Sequence, residues 1–241
     1  MMSRLPRAPR FPRLVLLGSI SLAAALPLAP AQDIFVTPIA NAPFTAVVQV
    51  ERSSVRPDGS LQAAKTLRQI ARDSRGRIYN EARTLIPLSS KETPQVRSIH
   101  LYDPETRIST MLDTEQQTFW TMTVRRPPAT VPPALLEATP AGETLEPSGF
   151  AKNEDLGTEE IGGIPAHGIR EVQTIPAQDN GKPIVVTDEY WYSDDLRINL
   201  MIKHNDPRTG SATLTVTQVE RSEPDRALFE IPANYKRAAN P

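Results

Sequence analysis

Eight short clusters of turn-forming residues punctuate the sequence between Pro57 and Pro207, and their close spacing constrains the fold more than any other feature. They are Pro57-Asp58-Gly59, Asp73-Ser74-Arg75-Gly76, Asp103-Pro104-Glu105, Asp113-Thr114-Glu115, Ile161-Gly162-Gly163, Asp179-Asn180-Gly181, Ser193-Asp194-Asp195 and Asn205-Asp206-Pro207. Asp, Asn, Gly and Pro set turn dihedrals or bond back to the backbone. The segments between them are too short for most helices and rich in Val, Ile, Thr and aromatics, as strands require. Several alternate with period two, the mark of a half-buried strand. Phe44, Ala46, Val48 and Val50 share a face, as do Trp120, Met122 and Val124. Leu196, Ile198, Leu200 and Ile202 oppose Arg197, Asn199, Met201 and Lys203. Eight turns imply about nine or ten strands, mostly hairpin-linked and antiparallel, so the fold class expected is mainly β with little helix.

Two regions break this rhythm. Residues 87–97 read as a polar connection. Residues 125–153 hold six prolines between Pro127 and Pro147, which excludes a strand or a long helix. This connection divides the chain into two halves, expected to share one sheet because neither shows a self-sufficient set of core positions.

The first residues carry a different message. Arg4, Arg7, Arg10 and Arg13 precede the apolar run Leu14 to Ala29, which closes on Ala29-Pro30-Ala31, and the first acid in the chain is Asp33. A basic head, a short apolar middle and an A-x-A end make a secretory signal peptide. The run is shorter than the roughly 20 apolar residues of a spanning helix. We therefore expect a signal peptide at 1–31 and one β-rich domain at 32–241, periplasmic or secreted and not membrane-spanning after cleavage. No Cys is present, so neither disulfides nor thiol chemistry enter. Without its four leading arginines the chain has 23 basic residues against 28 acids, a net charge of −5, which gives no global attraction to nucleic acid.

The residues that could carry chemistry are sparse. His100, His167 and His204 have no metal-ligand spacing between them. No nucleophile motif and no phosphate-cradling Gly-rich loop occurs. The adjacent acid pairs Glu159-Glu160, Asp188-Glu189 and Asp194-Asp195 point to opposite faces of any strand. A non-enzymatic protein without cofactor or metal is expected. Tyr190-Trp191-Tyr192 places aromatics on both sides of one strand, which fits either a strand covered on both faces or a curved sheet whose inner side lines an apolar cavity.

The segment from Asp194-Asp195-Leu196 through Asp206-Pro207-Arg208 to Gly210, with the ending Glu223-Pro224-Asp225-Arg226-Ala227-Leu228-Phe229-Glu230-Ile231-Pro232, resembles exported bacterial proteins related to the periplasmic lipoprotein carriers of LolA type. The resemblance covers most of 44–236. It implies a curved antiparallel half-barrel of eleven strands or a similar number, whose concave side holds lipid or lipoprotein acyl chains. The carriers also have an amphipathic N-terminal helix and further lid helices. Here Pro38 and Pro43 stand in 32–43, and the middle connection is proline-rich.

In such a half-barrel one strand face lines a hollow. The most apolar faces, Trp120, Met122 and Val124 together with Leu196, Ile198, Leu200 and Ile202, are the candidate ligand lining. The basic run Arg68, Arg72, Arg75, Arg77 and Arg83 is the candidate rim for a headgroup phosphate. The rival expectation is a packed core in the same place, in a structural or protein-interaction module without a ligand cavity. The Leu228-Phe229 pair is expected to be buried, with Asp225 capping a short turn.

Overall fold

The computed structural model describes residues 33–125, 151–176 and 182–239. The expected signal peptide, most of the proline-rich connection and the Asp179-Asn180-Gly181 turn lie outside these residues. Among those described, thirteen strands form one sheet. They are β1 (Phe44–Val55), β2 (Leu61–Arg72), β3 (Ile78–Arg83), β4 (Ile86–Pro87), β5 (Val96–Asp103), β6 (Ile108–Asp113), β7 (Thr118–Thr123), β8 (Ala151–Ile161), β9 (Ile164–Ile175), β10 (Ile184–Ser193), β11 (Ile198–Asp206), β12 (Gly210–Glu220) and β13 (Lys236–Arg237). The spatial order is β13-β7-β6-β5-β3-β2-β1-β12-β11-β10-β9-β8, with β4 added beside β2. This is the expected curved antiparallel sheet, in thirteen strands where nine to eleven were expected. The excess includes β4 and β13, two-residue pieces too short to alternate.

The turn signals act locally as their chemistry requires. Asp73 Oδ1 accepts from the backbone N–H groups of Arg75 and Arg77 between β2 and β3. Asp103 and Asp113 accept from Glu105 and Glu115 in the same way. Gly162 and Gly163, at φ 60° and 78°, supply the left-handed pair of a two-residue hairpin turn.

The two halves of the chain join through the antiparallel ladder of β1 with β12, where Val48 opposes Val216 and Val50 opposes Leu214. Opposite residues share a face, so Phe44, Ala46, Val48 and Val50 bury with Ile70 of β2, Leu214 and Val216 of β12, and Ile202 of β11. Among the described residues no α-helix covers this face. It packs instead against Ile161, Ile164, Ala166 and Trp191 of the same sheet, so the sheet curls and this face is concave.

One of the sheet's bulges lies beside the main core. Tyr190 opposes Ile202, but past a register shift Ser193 opposes Ile198. The extra β11 residue turns Trp191 and Ser193 toward the core and increases the local twist. Trp191 Nε1 donates to Glu189 at 2.7 Å, and Lys203 and Arg170 donate to the same carboxylate at 2.9 and 3.0 Å. Burial pushes the Glu189 carboxyl up, and these three hydrogen bonds more than offset it, holding the group at about 2.

The opposite face of the first half has its own core of Ala71, Tyr79, Leu101, Leu112 and Phe229. Phe229 arrives on a 3-10 turn, Arg226–Phe229, whose N-cap Asp225 accepts from Ala227 N–H at 2.9 Å. Leu228 packs against this cluster, half-buried. The tail then pairs β13 with β7 in parallel.

Candidate ligand face

Residues 33–43 form an extended strap across the concave face, and they decide which part of it is open. Ile34 and Val36 are buried in the main core, while Phe35 between them is 83% exposed. The strap is held mainly by side chains. Arg72, fully buried, donates through Nη1 to Thr37 O at 2.8 Å, through Nε to Ala42 O at 2.8 Å and through Nη2 to Leu196 O at 3.0 Å. It also stacks over the Phe44 ring at 4.9 Å. Burial without a carboxylate partner lowers the Arg72 pKa to about 10. Thr37 Oγ1 donates to Arg197 O at 2.9 Å, tying the strap to the β10–β11 turn. At Gly76 the backbone passes so near that a Cβ would lie 3.1 Å from Ile39 C.

Leu196, Ile198, Leu200 and Ile202 are 3%, 1%, 0% and 2% exposed and share a single cluster with Ile34 and Val36. Around them the concave face is filled, not hollow. Trp120 and Met122 lie elsewhere on the same face, at the β7 end, where Trp120 is half-exposed and Met122 is 49% exposed. Val124, just past β7, is 37% exposed.

The five arginines do not gather into one rim. Arg68 and Arg72 lie on the concave side of β2 beside the strap, opposite Val48 and Phe44. Arg77 pairs with Asp73 at 2.7 Å and stacks over Phe229 at 4.8 Å on the other face. Arg83 donates to Glu81 at 2.6 Å, beside the Tyr79 hydroxyl that donates to the same carboxylate. Arg75 is exposed in the β2–β3 turn.

The strand registers show a row that sequence reasoning missed. Arg68 donates to Asn80 of β3 at 3.1 Å. Asn80 opposes His100 of β5, His100 opposes Met111 of β6, and Met111 opposes Trp120 of β7. These side chains form one transverse line on the concave face. From β2 to β7 it crosses four strand spacings, about 19 Å at roughly 4.8 Å each. Along it Arg68 is 8% exposed, Asn80, His100, Met111 and Trp120 are half-buried, and the neighbouring Met122 is exposed. Burial lowers the His100 pKa, which favours the neutral ring, and its Nε2 shares a 2.8 Å hydrogen bond with Ser109 Oγ. The line therefore runs from a cation at the strap to neutral and apolar groups at β7.

On the opposite face a hollow of about 250 Å³ lies between the tail and β5–β6, lined by Leu101, Ile108, Thr110, Phe229 and Ile231 among others. Among the described residues no three His, Asp or Glu side chains gather as a metal-holding group. No helix among them is long and apolar enough to cross a membrane.

Comparison with protein families and with curated proteins finds no match. Solved structures do match. An uncharacterised conserved protein from Thermus thermophilus is 10% identical at a TM-score of 0.42, over 82% of this chain and 90% of that one. LolA superfamily proteins are among the similar structures. One from Nitrosomonas europaea is 10% identical at a TM-score of 0.31, over 80% of this chain and 92% of that one. MucB of Pseudomonas aeruginosa, in its complex with MucA, is 13% identical at a TM-score of 0.38, and the match spans 80% of this chain and 57% of that one.

Proposed function

We propose that this is an exported, non-enzymatic binding protein of the cell envelope, periplasmic or secreted after loss of residues 1–31. It holds the apolar chain of a lipid or another amphiphile on the open β5–β7 end of its concave face. The observation that carries this reading is the line from Arg68 to Trp120, with Met111 and Trp120 half-buried and Met122 exposed beside the packed core. Covering such a surface with an acyl chain gains about 0.8 kcal/mol per buried CH₂. In this proposal Trp120, Met122 and Val124 line the ligand, and Leu196, Ile198, Leu200 and Ile202, buried in the main core, lie beside it.

Organic extraction of the protein purified from its exported fraction, followed by mass spectrometry, tests the proposal. A co-purifying amphiphile near one per chain is expected. A second reading, a protein-interaction module without a ligand, is favoured by the filling of the inner face by Ile34 and Val36. An empty extract would favour it.

A further inference from the structure

Arg68 is placed as a ligand-binding guanidinium would be. Its side chain is 9% exposed, on the floor of the concave face beside Val48. Nη1 and Nη2 both reach the Asp33 carboxylate, a two-pronged pairing, and Nη1 also donates to Asn80 at 3.1 Å. Its Nε is buried without a hydrogen-bond partner among the described residues, a cost that a well-matched buried ion pair avoids.

Asp33, in contrast, has a side chain 42% exposed and belongs to a strap that pairs with no strand along 33–36. The next residues, Ile34 and Val36, send their apolar side chains into the core. A charged group followed directly by buried hydrocarbon has the chemical order of an anionic amphiphile. Beyond Val36 the strap is fastened by Arg72 to Thr37 and Ala42.

We propose that Arg68 anchors the anionic headgroup of the bound amphiphile, and that Asp33 with Ile34 occupies that place in the free protein. Ligand binding and release of residues 33–36 are then one equilibrium. A carboxylate or phosphate matches the guanidinium fork. The chain runs from there along Asn80, His100 and Met111 to Trp120. This inference rests on the function proposed above and adds the headgroup chemistry and the competing segment.

The test compares hexadecyl phosphate, hexadecanol and inorganic phosphate by calorimetry on the mature chain. Asp33→Asn removes the competing charge and should tighten hexadecyl phosphate by about tenfold, the order of one charge-assisted hydrogen bond, with hexadecanol unchanged. Arg68→Gln should abolish the preference for hexadecyl phosphate over hexadecanol. Arg68→Lys, which keeps the charge without the fork, should retain only part of it. Melting curves establish that each variant is folded, and Asp33→Asn, at a half-buried position, carries the test by itself if Arg68 variants unfold. An unchanged affinity for hexadecyl phosphate in Asp33→Asn overturns the inference. So does equal wild-type binding of the two chains, which leaves the acyl reading standing. Saturable binding of inorganic phosphate alone, lost in Arg68→Gln, supports the anion site and counts against the amphiphile. Failure of all three probes removes both proposals.

Discussion

The indole of Trp191 lies flat across Gly168, its opposite residue on β9, so closely that a Cβ at position 168 would sit 2.8 Å from the ring. The ring covers the gap a missing side chain leaves in the ladder, and it does so at the bulge where the sheet turns its corner. Gly168→Ala should therefore force the indole out of its packed position. A loss of about 1–3 kcal/mol is expected from such overpacking, with a shift of the buried tryptophan's emission. Denaturant unfolding followed by fluorescence checks both.

Glu189, beneath that indole, makes stability depend on acid. Its folded pKa is about 2 against an ordinary 4.5. The stabilisation is therefore fully present above pH 4.5 and is lost as pH falls toward 2. A shift of this size corresponds to about 3 kcal/mol. Glu189→Gln should flatten the fall in stability between those two values, measured by urea unfolding across the range. A parallel fall in the variant would place the acid sensitivity elsewhere.

The tail is part of the fold. Phe229 closes the second core and is 9% exposed, and Asp225 caps the turn that presents it. Phe229→Ala should cost about 3 kcal/mol and Asp225→Ala about 1 kcal/mol. Melting temperatures within error of the parent would show that the tail contributes no packing.

Much of this was readable in advance, for reasons visible at particular residues. Seven of the eight turn clusters separate consecutive described strands, because Asx and Gly turns are decided within four or five residues. The same locality made the Asp225 cap legible. Whether alternating apolar positions such as Ile198 and Leu200 line a hollow or fill a core is a different question. Period two tells which side chains share a face, not what lies opposite. Here Ile34 and Val36 lie opposite, from a segment too short to show a pattern. Arg68 and Arg72 read as parts of one basic rim because their partners are distant in sequence. Asp33 is 35 positions from Arg68 and Leu196 is 124 from Arg72. The row Asn80, His100, Met111 and Trp120 depends on the registers of three ladders, which no local pattern fixes.

Export has its own test. Intact-mass analysis of the exported fraction should give a chain beginning at Gln32, and a mass that retains residues 1–31 would sink that part of the proposal.

The central claim is that the open end of the concave face takes an apolar chain. Titration of the purified protein with a fluorescent fatty acid, in the parent and in Met122→Asp, tests it most directly, because Met122 is 49% exposed and a charge there leaves the core untouched. Saturable micromolar binding is expected in the parent, weakened by about tenfold in the variant, since the new carboxylate would have to be desolvated against the chain. Absence of saturable binding in the parent, or equal binding by a folded Met122→Asp, would contradict the account.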